Sequence, residues 1–221
     1  MTVKGNPDIT WETNSNFNVG AEFGFWGNRL SGNLEYFYRL TSDMLSFFAV
    51  PPSMGYSGYY DNIGDMVNQG VELELNGNII NKRNFRWDVN FNITYVDNKI
   101  AKLADKNKVQ KVYTATDHEP VYGYSSGDSY FGEGQPLHAK YMPQYAGVNE
   151  HGLPTWYQAV YETDADGNVV LDTQNNPIVK KWTTTTNYSN ATQVVHGTAQ
   201  PVVYGGFGTT FYLYGFDLSL N

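Results

Sequence analysis

Cysteine is absent from the 221 residues. A disulfide scaffold, a thiolate metal site and a cysteine nucleophile are thereby excluded together. Charge is sparse: charged residues make up 16 %, well under the usual quarter. The balance is acidic, net −8, and no basic patch gathers along the chain, so nucleic-acid binding is disfavoured. No run of about 18 apolar residues exists, so no transmembrane helix is expected. That absence does not touch membrane-crossing strands, whose individual signal is weak. No repeat of fixed period emerges, which argues against a propeller or solenoid. Nor does the start read as a secretory signal, because Met1 is followed by polar Thr2, Lys4, Asn6 and Asp8.

What is present is alternation. Phe85, Trp87, Val89, Phe91, Ile93 and Tyr95 alternate with Arg86, Asp88, Asn90, Asn92 and Thr94. A period of two over eleven residues is a β-strand with one greasy and one wet face. Its length matches the 9–11 residues of a tilted membrane strand. Similar rows run over 17–25, 30–40 and 71–79, then 203–213 and, last, from Phe216. Aromatics reach 16 %, with 18 Tyr, as suits strands that offer aromatic girdles to lipid and amides to a watery interior.

The connections alternate in length. Trp26–Arg29, residues 80–84 and Tyr214-Gly215 are short turns, whereas 42–69 and 97–201 are long connections. In an up-and-down meander this places every short turn at one end, as in outer-membrane barrels. The expected fold class is all-β: an antiparallel up-and-down meander forming part of a large transmembrane β-barrel, with a long extracellular insert. The expected organisation is barrel strands 1–4 over 1–96 with a long loop at 42–69, a loop or cap insert over 97–201, and the start of the next barrel hairpin over 202–221. The chain is expected to be an internal fragment that stops within a strand. A soluble carbohydrate-binding β-sandwich would show the same alternation with its polar side in water, and stays open as the alternative.

Chemical motifs read blandly. Gly123-Tyr124-Ser125-Ser126-Gly127 matches a G-x-S-x-G elbow, but that elbow needs a helix after it and the flanks are aromatic loop. No enzyme activity is expected. Asp164, Asp166, Asn168 and Asp172 resemble the start of a calcium loop without its late bidentate Glu, so a polar turn is the better reading. The four His (His118, His138, His151, His196) lack ligand spacing. No cofactor and no metal are expected.

Two stretches carry a family resemblance. Asn6-Pro7-Asp8-Ile9-Thr10-Trp11-Glu12 looks like the Asn-Pro-Asp-Leu-Lys-Trp-Glu entry to late barrel strands of SusC/RagA-type TonB-dependent outer-membrane transporters. Asn62-Ile63-Gly64-Asp65-Met66-Val67-Asn68-Gln69-Gly70-Val71-Glu72-Leu73 is similar to the Asn-Ile-Gly-x-x-x-Asn-x-Gly-Val-Glu-Leu signature of the same family. Glu133–Leu137, Tyr145–Val148, Gly152–Tyr157, Pro201–Gly208 and Tyr214–Ser219 resemble later segments, in family order. Within the signature, Asn62, Gly64, Asn68, Gly70, Val71 and Glu72 read as structural, serving turns, a bulge and a strand start.

The resemblance implies a barrel of about 22 strands with a plugged lumen, in the outer membrane of a Gram-negative bacterium. It implies uptake of a glycan or peptide, driven through TonB by way of a plug region this chain lacks, with a SusD-like surface lipoprotein over the mouth. Outer-membrane lipid would meet the apolar rows. Glu35, Arg39, Glu72, Glu74, Arg86 and Asp88 would face the lumen. The insert's aromatics Tyr122, Tyr124, Tyr130, Trp156, Tyr157 and Trp182 are candidate substrate contacts, since aromatic faces pack on sugar rings.

Overall fold

A computed structural model describes residues 2–221. In chain order the strands are β1 (Val3–Lys4), β2 (Thr13–Phe25), β3 (Leu30–Ala49), β4 (Gly58–Lys82), β5 (Phe85–Leu103), β6 (Gln110–Tyr113), β7 (Pro120–Ser126), β8 (Ser129–Gly132), β9 (Ala139–Pro143), β10 (Tyr145–Val148), β11 (Pro154–Tyr161), β12 (Val179–Thr185), β13 (Gln193–Val195), β14 (Val203–Leu213) and β15 (Phe216–Leu220). Helical structure among the described residues is confined to three one-turn 3₁₀ pieces. The chain divides into two compact units, residues 2–99 with 200–221, and Ile100–Ala199.

The first unit is one sheet in the order β15-β14-β5-β4-β3-β2, with β1 pairing parallel to the far end of β4. The registers align like with like. Phe17, Val19 and Ala21 of β2 face Tyr38, Tyr36 and Leu34 of β3, and Leu34 and Tyr36 face Leu73 and Val71 of β4. Across the other pair, Phe207 faces Phe91 and Phe211 faces Trp87. Since side chains alternate faces with a period of two, every such row lies on one side of the sheet. No second layer covers that side among the described residues: Phe17 is 58 % exposed and Phe207 60 %. A sandwich sheet buries this row, so the soluble-sandwich alternative fails here.

The short turns occupy one end. Tyr214 and Gly215 both have positive φ (47° and 89°), the twist-matched two-residue hairpin loop. At the other end the expectation needs correction. Residues 42–69 are not a long loop: β3 runs on to Ala49 and β4 begins at Gly58, leaving only 50–57 between them. The register shifts twice between Thr41 and Leu45, which breaks the alternation that marks the strand in sequence. Asp43 (φ 54°) and Gly64 (φ 143°) absorb the irregularity. Thr41, Met44, Asp61, Ile63 and Val67 are buried and lie on the stretches of β3 and β4 around that bulge.

The second unit has its own core. Its five-stranded sheet runs β13-β9-β8-β7-β6, and a parallel bridge of Thr114 to Val195 brings the end of β6 back to β13. Val112, Val121, Tyr130, Ala139 and Val195 fill the interior. Burying an aliphatic chain such as Val195 contributes on the order of 1.5–3 kcal/mol. A second sheet runs β10-β11-β12.

One turn recurs three times in this unit, led by Asn149, Asp164 and Asp172. Each leading side chain accepts backbone N–H bonds from the residues two and four positions on, at 2.9–3.0 Å. Each turn places a positive φ at its fourth residue: Gly152, Gly167 and Asn175. The side-chain oxygen satisfies amides that the tight turn leaves unpaired, which is why Asn and Asp lead it.

Candidate functional site

The polar side of the sheet carries all six residues expected at a lumen. Glu35 stands directly opposite Glu72, and Asn33 opposite Glu74. Arg39 pairs across to Asn68 and Asn16, with its guanidinium 5.4 Å from the Phe37 ring centre. Arg86 binds Asp88 at 2.8 Å and lies 4.0 Å over the Tyr212 ring. Asp88 also accepts 2.6 Å from Asn78 Nδ2, which places β4 and β5 polar residues on one face. Like charges set opposite each other destabilise a ladder. Glu35 and Glu72 therefore cost stability in this sheet.

Phe37 departs from the pattern. It belongs to the polar row by parity yet is buried, because its ring lies over Gly70 across the ladder. A Cβ at Gly70 would fall 2.6 Å from Phe37 Cζ and 2.2 Å from the Tyr95 carbonyl oxygen. This second glycine of the signature is thus a steric slot for a ring and a neighbouring strand. Val71 lies in the apolar row opposite Tyr36, and Asn68 accepts 2.5 Å from Asn98 Nδ2.

The two sequence stretches that carried the resemblance are bonded to each other. Asn62 Oδ1 accepts from Thr10 N at 2.8 Å, and Asn62 Nδ2 donates to Thr10 O at 3.1 Å and Asp43 O at 2.6 Å. Asn6 Nδ2 donates to Asp61 Oδ1 and Tyr60 O, each at 3.1 Å. Glu12 accepts from Leu45 N at 3.1 Å. The segment Asn6–Glu12 is strapped to the β3–β4 bulge by side chains imitating a strand partner. Periodicity gave no hint of this, since the strap itself has no strand pattern.

The apolar row ends where its chemistry changes. At that level Tyr36 OH donates 3.3 Å to Gln69 Oε1, and Gln69 Nε2 donates 3.0 Å to Asp97 Oδ2. Between this network and the short turns the rows span 71–79 in β4 and 85–95 in β5. Within them the one polar donor of Trp87 is satisfied, Nε1 giving 2.8 Å to Thr209 Oγ1.

The insert's candidate contacts do not form one platform. Tyr130 is removed from the set: it is 0 % exposed, and its single O–H donor lies 2.8 Å from Gln110 O and 3.1 Å from Val121 O. Burial pushes its phenol far above the usual range. Tyr124 stacks on Phe131 at 5.0 Å. Trp182 stacks on His118 at 3.9 Å, and Tyr157 meets the same His118 edge-on at 5.6 Å. Trp156 meets Tyr188 edge-on at 5.3 Å. Tyr122 is half-buried opposite Lys111. His118, absent from the sequence candidates, joins β6–β7 to the second sheet; nothing in its spacing signals that role. Ser125 lies in the β7–β8 hairpin opposite Tyr130, with a strand where an elbow has its helix.

Several ion pairs brace the insert, Lys140 with Asp128 at 2.9 Å among them. Lys111 binds Asp172 at 3.0 Å. The Asn176 backbone N–H and then Lys111 hold the Asp172 carboxyl down at about 2, and the bond to Asp172 raises Lys111. Glu133 binds Lys108 at 2.9 Å, which lowers the one and raises the other.

Comparison with known proteins agrees with this wall. Residues 2–221 match the family model for the TonB dependent receptor-like beta-barrel. The chain is 27 % identical over 209 residues to the TonB-dependent receptor SusC of Bacteroides thetaiotaomicron, covering 94 % of this chain and 20 % of that protein. It is 26 % identical over 222 residues to the TonB-dependent receptor P3 of Formosa agariphila, covering 100 % of this chain and 21 % of that one. The solved RagAB peptide transporter superposes with a TM-score of 0.71 at 29 % identity, over 99 % of this chain and 22 % of that one. The chain thus spans about a fifth of the length of the curated relatives it matches. With a single-layered sheet, an uncovered apolar row and a family match along its described length, the chain belongs to the TonB-dependent receptor β-barrel family.

Proposed function

We propose that this chain forms part of the wall of a TonB-dependent transporter in the outer membrane of a Gram-negative bacterium, taking up a glycan or peptide. The observation that carries the reading is the uncovered apolar row, 9–11 residues tall, backed by a charged and amide-rich face. The row meets hydrocarbon, and Glu35, Arg39, Glu72, Glu74, Arg86 and Asp88 face the water-filled or plugged interior. Residues 97–201 form the loop or cap insert on the extracellular side, where the barrel has its mouth. A SusD-like lipoprotein covers that mouth, and TonB supplies energy through a plug; both readings rest on the motif resemblance.

Within the cap, the Trp156–Tyr188 pair is the favoured substrate contact, because Tyr188 is exposed beside Trp156. Trp182 and Tyr157 enclose His118 and serve a ligand less directly. Tyr122 and Tyr124 are secondary contacts.

The test is deletion of the receptor gene in its own bacterium, with growth on single oligosaccharides and on peptides. The reading expects loss of growth on one substrate class, restored by the intact gene and weakened by Trp156→Ala. Unchanged growth on every substrate would contradict it.

A further inference from the structure

At the short-turn end the apolar row opens into a cleft of about 290 Å³ lined by Trp26, Leu30, Gly77 and Ile79, with Arg29 at its rim. Gly77 itself is already covered: a Cβ there would lie 3.1 Å from Val89 Cγ2 and 3.3 Å from Ile79 Cδ1, so these two side chains fill the space over it and form the cleft's floor. The cleft runs into a second hollow that shares Arg29 and Ile79 and reaches Lys82. Trp26 is 77 % exposed there, an indole at the border where aromatic side chains hold a membrane interface.

Arg29 is fixed in place. Its Nε donates 3.3 Å to Asn78 O and its Nη2 2.7 Å to Ile79 O. These bonds use two of the five guanidinium N–H donors and aim the group over the cleft. Lys82 has no ion-pair partner among the described residues, and its side chain is exposed. Hydrocarbon walls below two cations at a membrane boundary match one chemistry: an acyl chain topped by a phosphodiester.

We infer that this cleft binds an anionic phospholipid, its acyl chain along Trp26, Leu30 and Ile79 and its headgroup phosphate on Arg29 and Lys82. The inference rests on the barrel reading above, because the cleft is continuous with the row assigned to lipid. Its bidentate-capable guanidinium and its ammonium favour a negatively charged headgroup over a zwitterionic one. The bound lipid would fix the depth of the β2–β3 and β4–β5 turns in the inner leaflet.

The experiment is native mass spectrometry of the receptor purified from outer membranes in dodecyl maltoside, offered equimolar phosphatidylglycerol and phosphatidylcholine. The parent is expected to retain phosphatidylglycerol preferentially. Lys82→Gln should lower that retention about fivefold, the effect of one basic residue at an anionic surface. Trp26→Ala should lower retention of both lipids. Lys82 and Trp26 are exposed, so neither change threatens the fold. Equal retention of the two lipids by the parent would overturn the inference, as would a Lys82→Gln variant that keeps the preference. Displacement of the lipid by millimolar inorganic phosphate would also overturn it, pointing to a soluble anion. If the receptor is released from membranes by alkaline carbonate, the barrel reading itself fails. If it stays integral but shows no lipid preference, only this inference fails.

Discussion

Asn62 holds Thr10 by both backbone groups at once, accepting from its N–H at 2.8 Å and donating to its C=O at 3.1 Å. A side-chain amide here does what a neighbouring strand would do. It joins the strap Asn6–Glu12 to the bulge around Gly64, where regular pairing fails. Removing it leaves Thr10 N–H, Thr10 C=O and Asp43 C=O without this partner. Asn62→Ala is expected to cost about 0.5–1.5 kcal/mol, the net worth of a hydrogen bond whose groups water can reach. Hydrogen exchange reads the effect locally: the Thr10 amide is protected in the parent and exchanges freely in the variant. Asn62→Asp keeps the acceptor for Thr10 N–H and should retain most of that protection.

Gly70→Ala is expected to prevent proper assembly of the β4–β5 pair. The added methyl would sit 2.2 Å from the Tyr95 carbonyl oxygen, a backbone atom that cannot swing aside. Gly206→Ala is the control, its nearest neighbour being the Asn92 side chain at 3.4 Å. The heat-modifiable electrophoretic shift of a folded barrel should survive in Gly206→Ala and disappear in Gly70→Ala. A folded Gly70→Ala protein would refute the slot.

The Lys111–Asp172 pair gives the insert a defined pH window. The Asp172 carboxyl is lowered to about 2, so its contribution is full above the unfolded value of ~3.9 and is lost as pH falls through about 2. Lys111 is raised, so its contribution is full below its unfolded value of ~10.4 and is lost as pH rises through the raised folded value. Asp172→Asn should therefore lower the thermal midpoint of residues 100–199 at pH 7. The difference from the parent should vanish by about pH 1.5. Differential scanning calorimetry at the two pH values checks this, and an equal difference at both would contradict it.

Arginine substitution separates the two faces of β5. Phe91→Arg puts a charge in the apolar row and should cost about 2–4 kcal/mol, the depth-dependent cost on a barrel's lipid side. Asn90→Arg puts the same charge on the opposite face and should cost well under that. Urea unfolding in lipid vesicles gives both numbers, and equal costs would contradict the assignment of faces.

Much of the sheet was legible because its rows keep strict parity. Strands built on Phe85–Tyr95, on Leu30–Leu40 and on Val203–Leu213 lie where alternation places them. The far halves of β3 and β4 were not legible. Two register shifts at Thr41–Leu45 scramble the period there, and Asp43 and Gly64 look like turn residues. Phe37 reads as an intruder in a polar row until Gly70 is seen beneath it. In the insert the strands are three to eight residues long, too short for parity to tell core from surface. Tyr130 in the core and Tyr124 outside it therefore look alike in sequence.

The central claim is that the apolar row touches lipid tails. Single spin labels at each position from 89 to 94, in receptor reconstituted into vesicles, test it through collisions with oxygen and with a water-soluble nickel chelate. The account predicts a period of two, with 89, 91 and 93 open to oxygen and 90, 92 and 94 shielded from it. Equal nickel access at all six positions, or oxygen access in the opposite phase, would contradict it.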